Sequence, residues 1–226
     1  RLLPAVGEYW SGDVRELESY LARVSDVMLF DVPLHYHLHD ASISDGNVDL
    51  SRLWENTLTA SHPDQSVTFV ENHDTQPGQS LASTVATWFK AAAYALILFH
   101  EAGVPCVFWG DLLGSPDSDD LPAVRELPIL MGIRARAAVG RQHNAFDDPD
   151  VVGFAREGKE EIPGSGCAVI LSDRMAAEKT LYVGTRHAGE EWECVIGGHP
   201  SVRVADDGTI TGTVSDGGLS VYAPRA

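Results

Sequence analysis

Val67-Thr68-Phe69-Val70-Glu71-Asn72-His73-Asp74-Thr75-Gln76 is the stretch on which the reading of the fold turns. A short apolar run of strand type stops abruptly at a cluster of Asn, His and Asp. Strands buried on both faces read as such runs, and in a (β/α) barrel the residues just past the strand C-termini carry the chemistry. Leu2-Leu3-Pro4-Ala5-Val6-Gly7-Glu8-Tyr9-Trp10 repeats the pattern, with a carboxylate beside two aromatic rings. Two acids at two strand ends, with ring faces nearby, suit work on a sugar.

Outward from these segments, the chain up to about Val139 alternates strand-like and helix-like stretches. Strands are predicted at Leu2 to Val6, Val27 to Val32, Val67 to Val70 and Val104 to Trp109. Helices are predicted from Asp13 to Arg23, Leu50 to Thr59, Leu81 to Ala102 and Asp120 to Val139. Ser80 is the expected cap of the third and Gly103 its end. Pro122 stands near the start of the fourth and Pro128 is a candidate kink inside it. Between the second strand and Leu50 lies a long polar excursion rich in His and Asp.

From His143 onward the character changes. Short runs at Val151 to Phe154, Ala168 to Leu171, Thr180 to Val183 and Leu219 to Tyr222 are separated by Gly- and Asp-rich turns. That spacing is an all-β pattern. The expectation is two domains: residues 1–140 forming four strand–helix units, half of an eight-unit barrel, and residues 141–226 forming a small antiparallel β-sandwich.

Composition narrows the partners. Sixteen Lys and Arg against thirty-three Asp and Glu give a formal charge of -17, a surface that repels nucleic acid and anionic membrane. A neutral polysaccharide is indifferent to it. The 44% apolar content is enough for a packed core. Cys106, Cys167 and Cys194 are odd in number and lack metal-site spacing. No disulfide scaffold is indicated, with a single Cys167–Cys194 bridge as the alternative, and of a cytoplasmic or a secreted location the cysteines lean to the cytoplasmic. The sequence contains no signal peptide, no Asn-x-Ser/Thr acceptor and no membrane-spanning stretch.

At these residues the sequence resembles the C-terminal half of an α-amylase of glycoside hydrolase family 13, of the bacterial liquefying type and its intracellular fungal relatives. Val6-Gly7-Glu8-Tyr9-Trp10 is similar to the family's segment after barrel strand five, and Phe69 to Gln79 to that after strand seven. Phe30-Asp31-Val32-Pro33-Leu34-His35-Tyr36 and Gly103 to Asp111 look like strands six and eight, in the same order. The resemblance covers essentially the whole chain.

What the resemblance implies is specific. Glu8 matches the general acid/base and Asp74 the carboxylate that stabilises the transition state. His73 is expected to hydrogen-bond sugar hydroxyls, Trp10 to stack on a sugar ring, and Gln76 to offer its amide to hydroxyls. The family's nucleophile after strand four has no counterpart, nor has its inserted second domain. Arg1, seven residues before Glu8, is therefore expected not to be the biological start, and a companion polypeptide carrying strands one to four is the expected partner. Glu71, where bacterial members carry Asp, stays outside the catalytic set. The implied activity is endo-hydrolysis of α-1,4-glucosidic bonds in starch or glycogen by the retaining mechanism. The alternatives are an inactive carbohydrate-binding or regulatory fragment and an α-glucan transglycosylase.

Retaining cleavage needs an acid for the leaving oxygen and a carboxylate nucleophile about 5–5.5 Å away. Glu8 fits the acid if Tyr9 and Trp10 desolvate it, and Asp74 must stay ionised to face the developing charge. The resemblance also implies one structural calcium between barrel and β-domain, held mostly by backbone oxygens. Its matching positions are Gly46, Val48, His143, Asn144 and Asp173, with Asn144 standing where the family has an acid. His35, His37 and His39 invite a zinc reading on an extended segment; the resemblance makes that stretch ordinary structure.

Overall fold

The computed structural model describes residues 5–24, 26–114 and 121–225. Its first part alternates β1 (Ala5–Gly7), α1 (Val14–Leu21), β2 (Val27–Phe30), α2 (Val32–Ile43), α3 (Leu58–Ser61), β3 (Ser66–Phe69), α4 (Thr87–Phe99), β4 (Val104–Cys106), α5 (Trp109–Leu113) and α6 (Leu127–Arg136). The four strands are parallel and lie side by side in chain order. Connections between parallel neighbours need a crossover, which the helices supply. β2 and β3 are buried, whereas Val6 on β1 and Val104 on β4 are each 52% exposed. Those two strands pair on one side only among the described residues.

Several expected boundaries move, each for a local reason. Residues 2–4 of the first strand and Asp120 of the last helix lie outside the described residues. The polar excursion is in fact the helix α2. Asp31 caps it by accepting from Leu34 N at 3.1 Å, Pro33 sits in its first turn, and Leu34, Leu38 and Ala41 turn one face into the core. The His and Asp residues only disguised that periodicity. Asp31, fully buried, also accepts from Leu58 N (3.1 Å) and Thr59 N (2.7 Å), so one carboxylate starts both α2 and α3.

The helix expected over Leu50 to Thr59 is instead a single 3-10 turn, Leu50–Arg52, and the short α3. Asn56, at φ +56°, separates them, and Thr57 caps α3. The third helix starts at Thr87 rather than Leu81, because residues 81–85 are tied back to the loop after β3. Leu81 N donates to Asp74 O, Ser83 N to Thr75 O and Val85 N to the Glu71 carboxylate. Ser80 therefore caps nothing, and Ala86 takes the N-cap position. The fourth strand ends at Cys106, and Trp109 already belongs to α5. Pro128 falls in the first turn of α6, where its missing N–H costs nothing, and makes no kink.

The second part is antiparallel throughout: β5 (Gln142–Ala145), β6 (Val151–Arg156), β7 (Cys167–Ser172), β8 (Ala177–Tyr182), β9 (Glu191–Ile196), β10 (Val202–Arg203), β11 (Thr209–Val214) and β12 (Leu219–Pro224). Six form one sheet in the order β10-β9-β12-β7-β6-β5, and β8 pairs with β11 in a second. The central strands use their two-residue period on two cores at once. Val152, Phe154, Val169, Leu171 and Val221 join Phe99, Leu130 and Ile133 of the helices. Val151, Ala155, Ala168, Ile170 and Tyr222 meet Leu181, Ile210 and Val214 of the second sheet. The first of these cores thus runs from the helices onto one face of the six-stranded sheet, and that sheet divides it from the second.

Polar contacts fasten the same junction. Arg156 on β6 donates to Phe99 O at 2.8 Å and Arg134 to Leu98 O at 2.7 Å, so two guanidinium groups meet the carbonyl end of α4. All three cysteines are free, and the alternative Cys167–Cys194 bridge is not formed. Cys167 faces the helix-side core, whereas Cys194 packs against the inter-sheet core and donates to Ile196 O. Among the described residues no helix is long and apolar enough to cross a membrane.

Candidate active site

The loop leaving β3 is organised by the side chain of Asn72. Its Oδ1 accepts from Asp74 N at 2.8 Å and Thr75 N at 3.0 Å, an Asx turn that fixes the Asp74 peptide. Its Nδ2 reaches across to Glu8 Oε1 at 3.3 Å. The end of β1 and the end of β3, sixty-four residues apart in sequence, are therefore joined by one amide. His73 Nε2 stands 3.6 Å from Asp74 Oδ1, with the imidazole largely exposed, and Gln76 Nε2 donates to His73 O at 2.7 Å. Glu8, His73, Asp74 and Gln76 gather on one side of the sheet, beyond the strand C-termini.

The aromatic neighbours of Glu8 behave differently from expectation. Tyr9 packs on Tyr20 at 5.3 Å between ring centroids. Trp10 turns inward, donates to Tyr36 Oη at 2.9 Å and meets His35, Tyr36 and Phe69 through ring edges. Neither covers Glu8, which is exposed, so the desolvation expected of them is not supplied within this chain. His35 stacks on Phe69 at 4.9 Å and places its two nitrogens against Val70 O and Ser83 Oγ, both at 2.8 Å. Burial pushes its pKa down to about 4. His37 and His39 point Nδ1 at Leu53 O and Thr84 O. On a helix rather than an extended segment, these three rings work as hydrogen-bonding struts.

Beneath the loop is a buried charge cluster that sequence reasoning left out. Glu71 is 2% exposed and accepts from Thr75 Oγ1 at 2.5 Å and Val85 N at 2.6 Å. Lys90, on α4, stands 3.6 Å from Glu71 and 2.5 Å from Asp111, whose other oxygen accepts from Tyr94. Burial pushes the Glu71 carboxyl up to about 7 against the opposing pull of Lys90 and the two donors. One signal was available: Lys90 and Tyr94 are the polar groups in an otherwise Ala- and Leu-rich helix, and a lone lysine there requires a buried partner.

The positions expected to hold calcium divide. Asp173 is 9% exposed, with both carboxylate oxygens buried and unpaired. Burial pushes it up to about 6, with Asp150 adding to the effect. It borders a cavity of about 340 Å³ together with Ser42, Ile43, Asp45, Trp88 and Gly217. An orphaned buried carboxylate fits a hard cation. Arg174 lies over Gly46 and donates to Asp45 O and Asn47 Oδ1, which brings the Gly46–Val48 loop beside Asp173. The His143 imidazole instead meets Glu157 at 3.0 Å, and the Asn144 oxygen accepts from Gln142 at 2.6 Å. Both stand on β5 opposite Ala155 and Phe154, which face Ala168 and Val169 of β7, so roughly 13–17 Å of strand separates them from Asp173. The acid beside Asp173 is Asp150. No group of three acid, thiol or imidazole side chains converges among the described residues.

Parallel strands with acidic residues past their C-termini, joined to an antiparallel domain, form an arrangement shared with solved α-amylases. The α-amylase from Malbranchea cinnamomea superposes with a TM-score of 0.69 at 19% identity, over 98% of this chain and 50% of that one, which shows the fold. In sequence, the chain is 43% identical to an α-amylase of Bacillus licheniformis over 225 residues, which is 97% of this chain and 44% of the relative. It is 42% identical to an α-amylase of Geobacillus stearothermophilus, covering 97% and 40%. No family model matches the chain. It is a homologue of the α-amylases of glycoside hydrolase family 13, matching their C-terminal part. The chain spans less than half the length of these curated relatives.

Proposed function

We propose that the four parallel β/α units are the second half of an eight-stranded barrel, and that this chain supplies Glu8 and Asp74 to a retaining endo-α-1,4-glucan hydrolase. The observation that supports the reading best is the Asn72 amide, which binds Glu8 and the Asp74 peptide together across two strand ends. Glu8 is the proton donor to the leaving oxygen, and Asp74 faces the positive charge that develops on the sugar. His73 and Gln76 are read as partners for sugar hydroxyls. Trp10, held by Tyr36, is read as the ring beside the leaving-group side. The nucleophile, and the cover that would desolvate Glu8, belong to a companion segment that also completes the open edges at Val6 and Val104.

Calcium is proposed at Asp173, with the neighbouring Asp150 and backbone oxygens of Gly46 and Val48 in the shell; His143 and Asn144, two strands away on β5, take no part in it. There it would neutralise an otherwise unpaired buried charge and pin the β-domain to the α2 side. It takes no part in bond cleavage.

The experiment is hydrolysis of soluble starch by the longer protein carrying both halves, beside the 226-residue chain alone, with products resolved by chromatography. The reading expects shortened maltooligosaccharides from the longer protein and none from the chain alone. Products longer than the substrate mark a transglycosylase, and inactivity of both an inert binding fragment.

A further inference from the structure

The buried cluster under the loop bears directly on the geometry of the acids. Thr75 Oγ1 occupies the centre of a relay: it donates to Glu71 Oε2 at 2.5 Å and accepts from Asn72 N at 2.9 Å. Asn72 then fixes the Asp74 peptide with its oxygen and contacts Glu8 with its nitrogen. Thr75 is fully buried and Glu71 nearly so, so no water competes for these bonds. The other Glu71 oxygen holds Val85 N, and Lys90 links the carboxylate to Asp111 and so to Tyr94. The relay therefore starts from Lys90 and Tyr94 on the buried α4 and from Asp111, the one buried residue of α5, and ends at Glu8 and Asp74.

We propose that Glu71 and Thr75 are positioning residues for the hydrolysis proposed above: their hydrogen bond holds Asn72, and Asn72 sets where Glu8 and Asp74 stand. Neither touches substrate. Their contribution is to keep an Asx turn and a cross-strand amide in one arrangement, so that no reorganisation is left for the transition state. The inference rests on Glu8 and Asp74 being the working acids.

The test uses the longer, active protein. Thr75→Val keeps the shape of the side chain and removes the hydroxyl, whereas Thr75→Ser keeps the hydroxyl and removes a methyl. With the relay broken, kcat on a maltooligosaccharide falls on the order of 10²-fold while KM moves less than about twofold. Thr75→Ser returns kcat to within about threefold of the parent. Equal losses in both variants, or a Thr75→Val enzyme with the parent's kcat, overturn the inference, since packing alone would then account for Thr75. Should Thr75→Val not fold, Glu71→Gln replaces it. Its amide nitrogen donates only, so the two bonds from Thr75 Oγ1 and Val85 N to separate oxygens cannot both survive; a loss of kcat is expected, and parental kcat overturns the relay. Glu8→Gln measured alongside separates the two layers. A dead Glu8→Gln with a parental Thr75→Val removes the relay and leaves the acid in place. An active Glu8→Gln removes the acid and the relay with it.

Discussion

The two sheets of this chain differ in how completely they are covered. β6 and β7 lose both faces to packing, one against α4 and α6 and the other against β8 and β11. β1 and β4 each leave a half-exposed valine on an edge that nothing described here covers. A row of unpaired strand donors and acceptors beside exposed valines is the surface that the proposed companion segment would complete. The residues that carry the candidate chemistry lie past the strands of the open sheet, while the strands of the covered sheet carry none of them.

Two substitutions in the longer protein sharpen that contrast. Phe154→Ala, in the core shared by helices and sandwich, should cost about 3–5 kcal/mol by denaturant unfolding. Val104→Ala should cost about 2 kcal/mol if a neighbouring strand covers β4. A change within about 0.5 kcal/mol would show that the edge stays exposed and that the proposed barrel is not closed there.

A smaller effect is expected at the junction between the two sheets. Asp173→Ala should narrow the difference in stability between calcium and chelator, by about 1.4 kcal/mol when calcium is ten times its Kd. Starch hydrolysis at moderate temperature should hardly change. Identical melting curves for this variant and the parent at several calcium concentrations would remove calcium from Asp173.

Much of this was legible in the sequence because apolar runs report burial directly. Val67 to Val70, Ala168 to Leu171 and Leu219 to Tyr222 sit within or beside strands covered on both sides, where an unbroken run is required. What stayed hidden depended on contacts distant in sequence. α2 was masked because His35, buried on its core face, is polar by type and apolar by position. Residues 81–85 have helix-forming composition, yet their amides are taken by Glu71, Asp74 and Thr75. The motif around Asp74 announced the site, while the amide of Asn72 and the relay through Thr75 became visible only when β1, β3 and α4 were brought together. Glu71 looked like a spare acid for the same reason: its partner Lys90 lies nineteen residues further on, in a different element.

The central claim is that Glu8 donates the proton on which bond cleavage depends, and the rate of Glu8→Gln in the longer protein addresses it most directly. Initial rates are measured on soluble starch and on an aryl maltooligosaccharide whose leaving group needs little protonation. The expected result is a loss of at least about 10²–10⁴-fold on starch, with part of the rate recovered on the activated substrate at the glycosylation step. A variant that hydrolyses starch within a few-fold of the parent would contradict it.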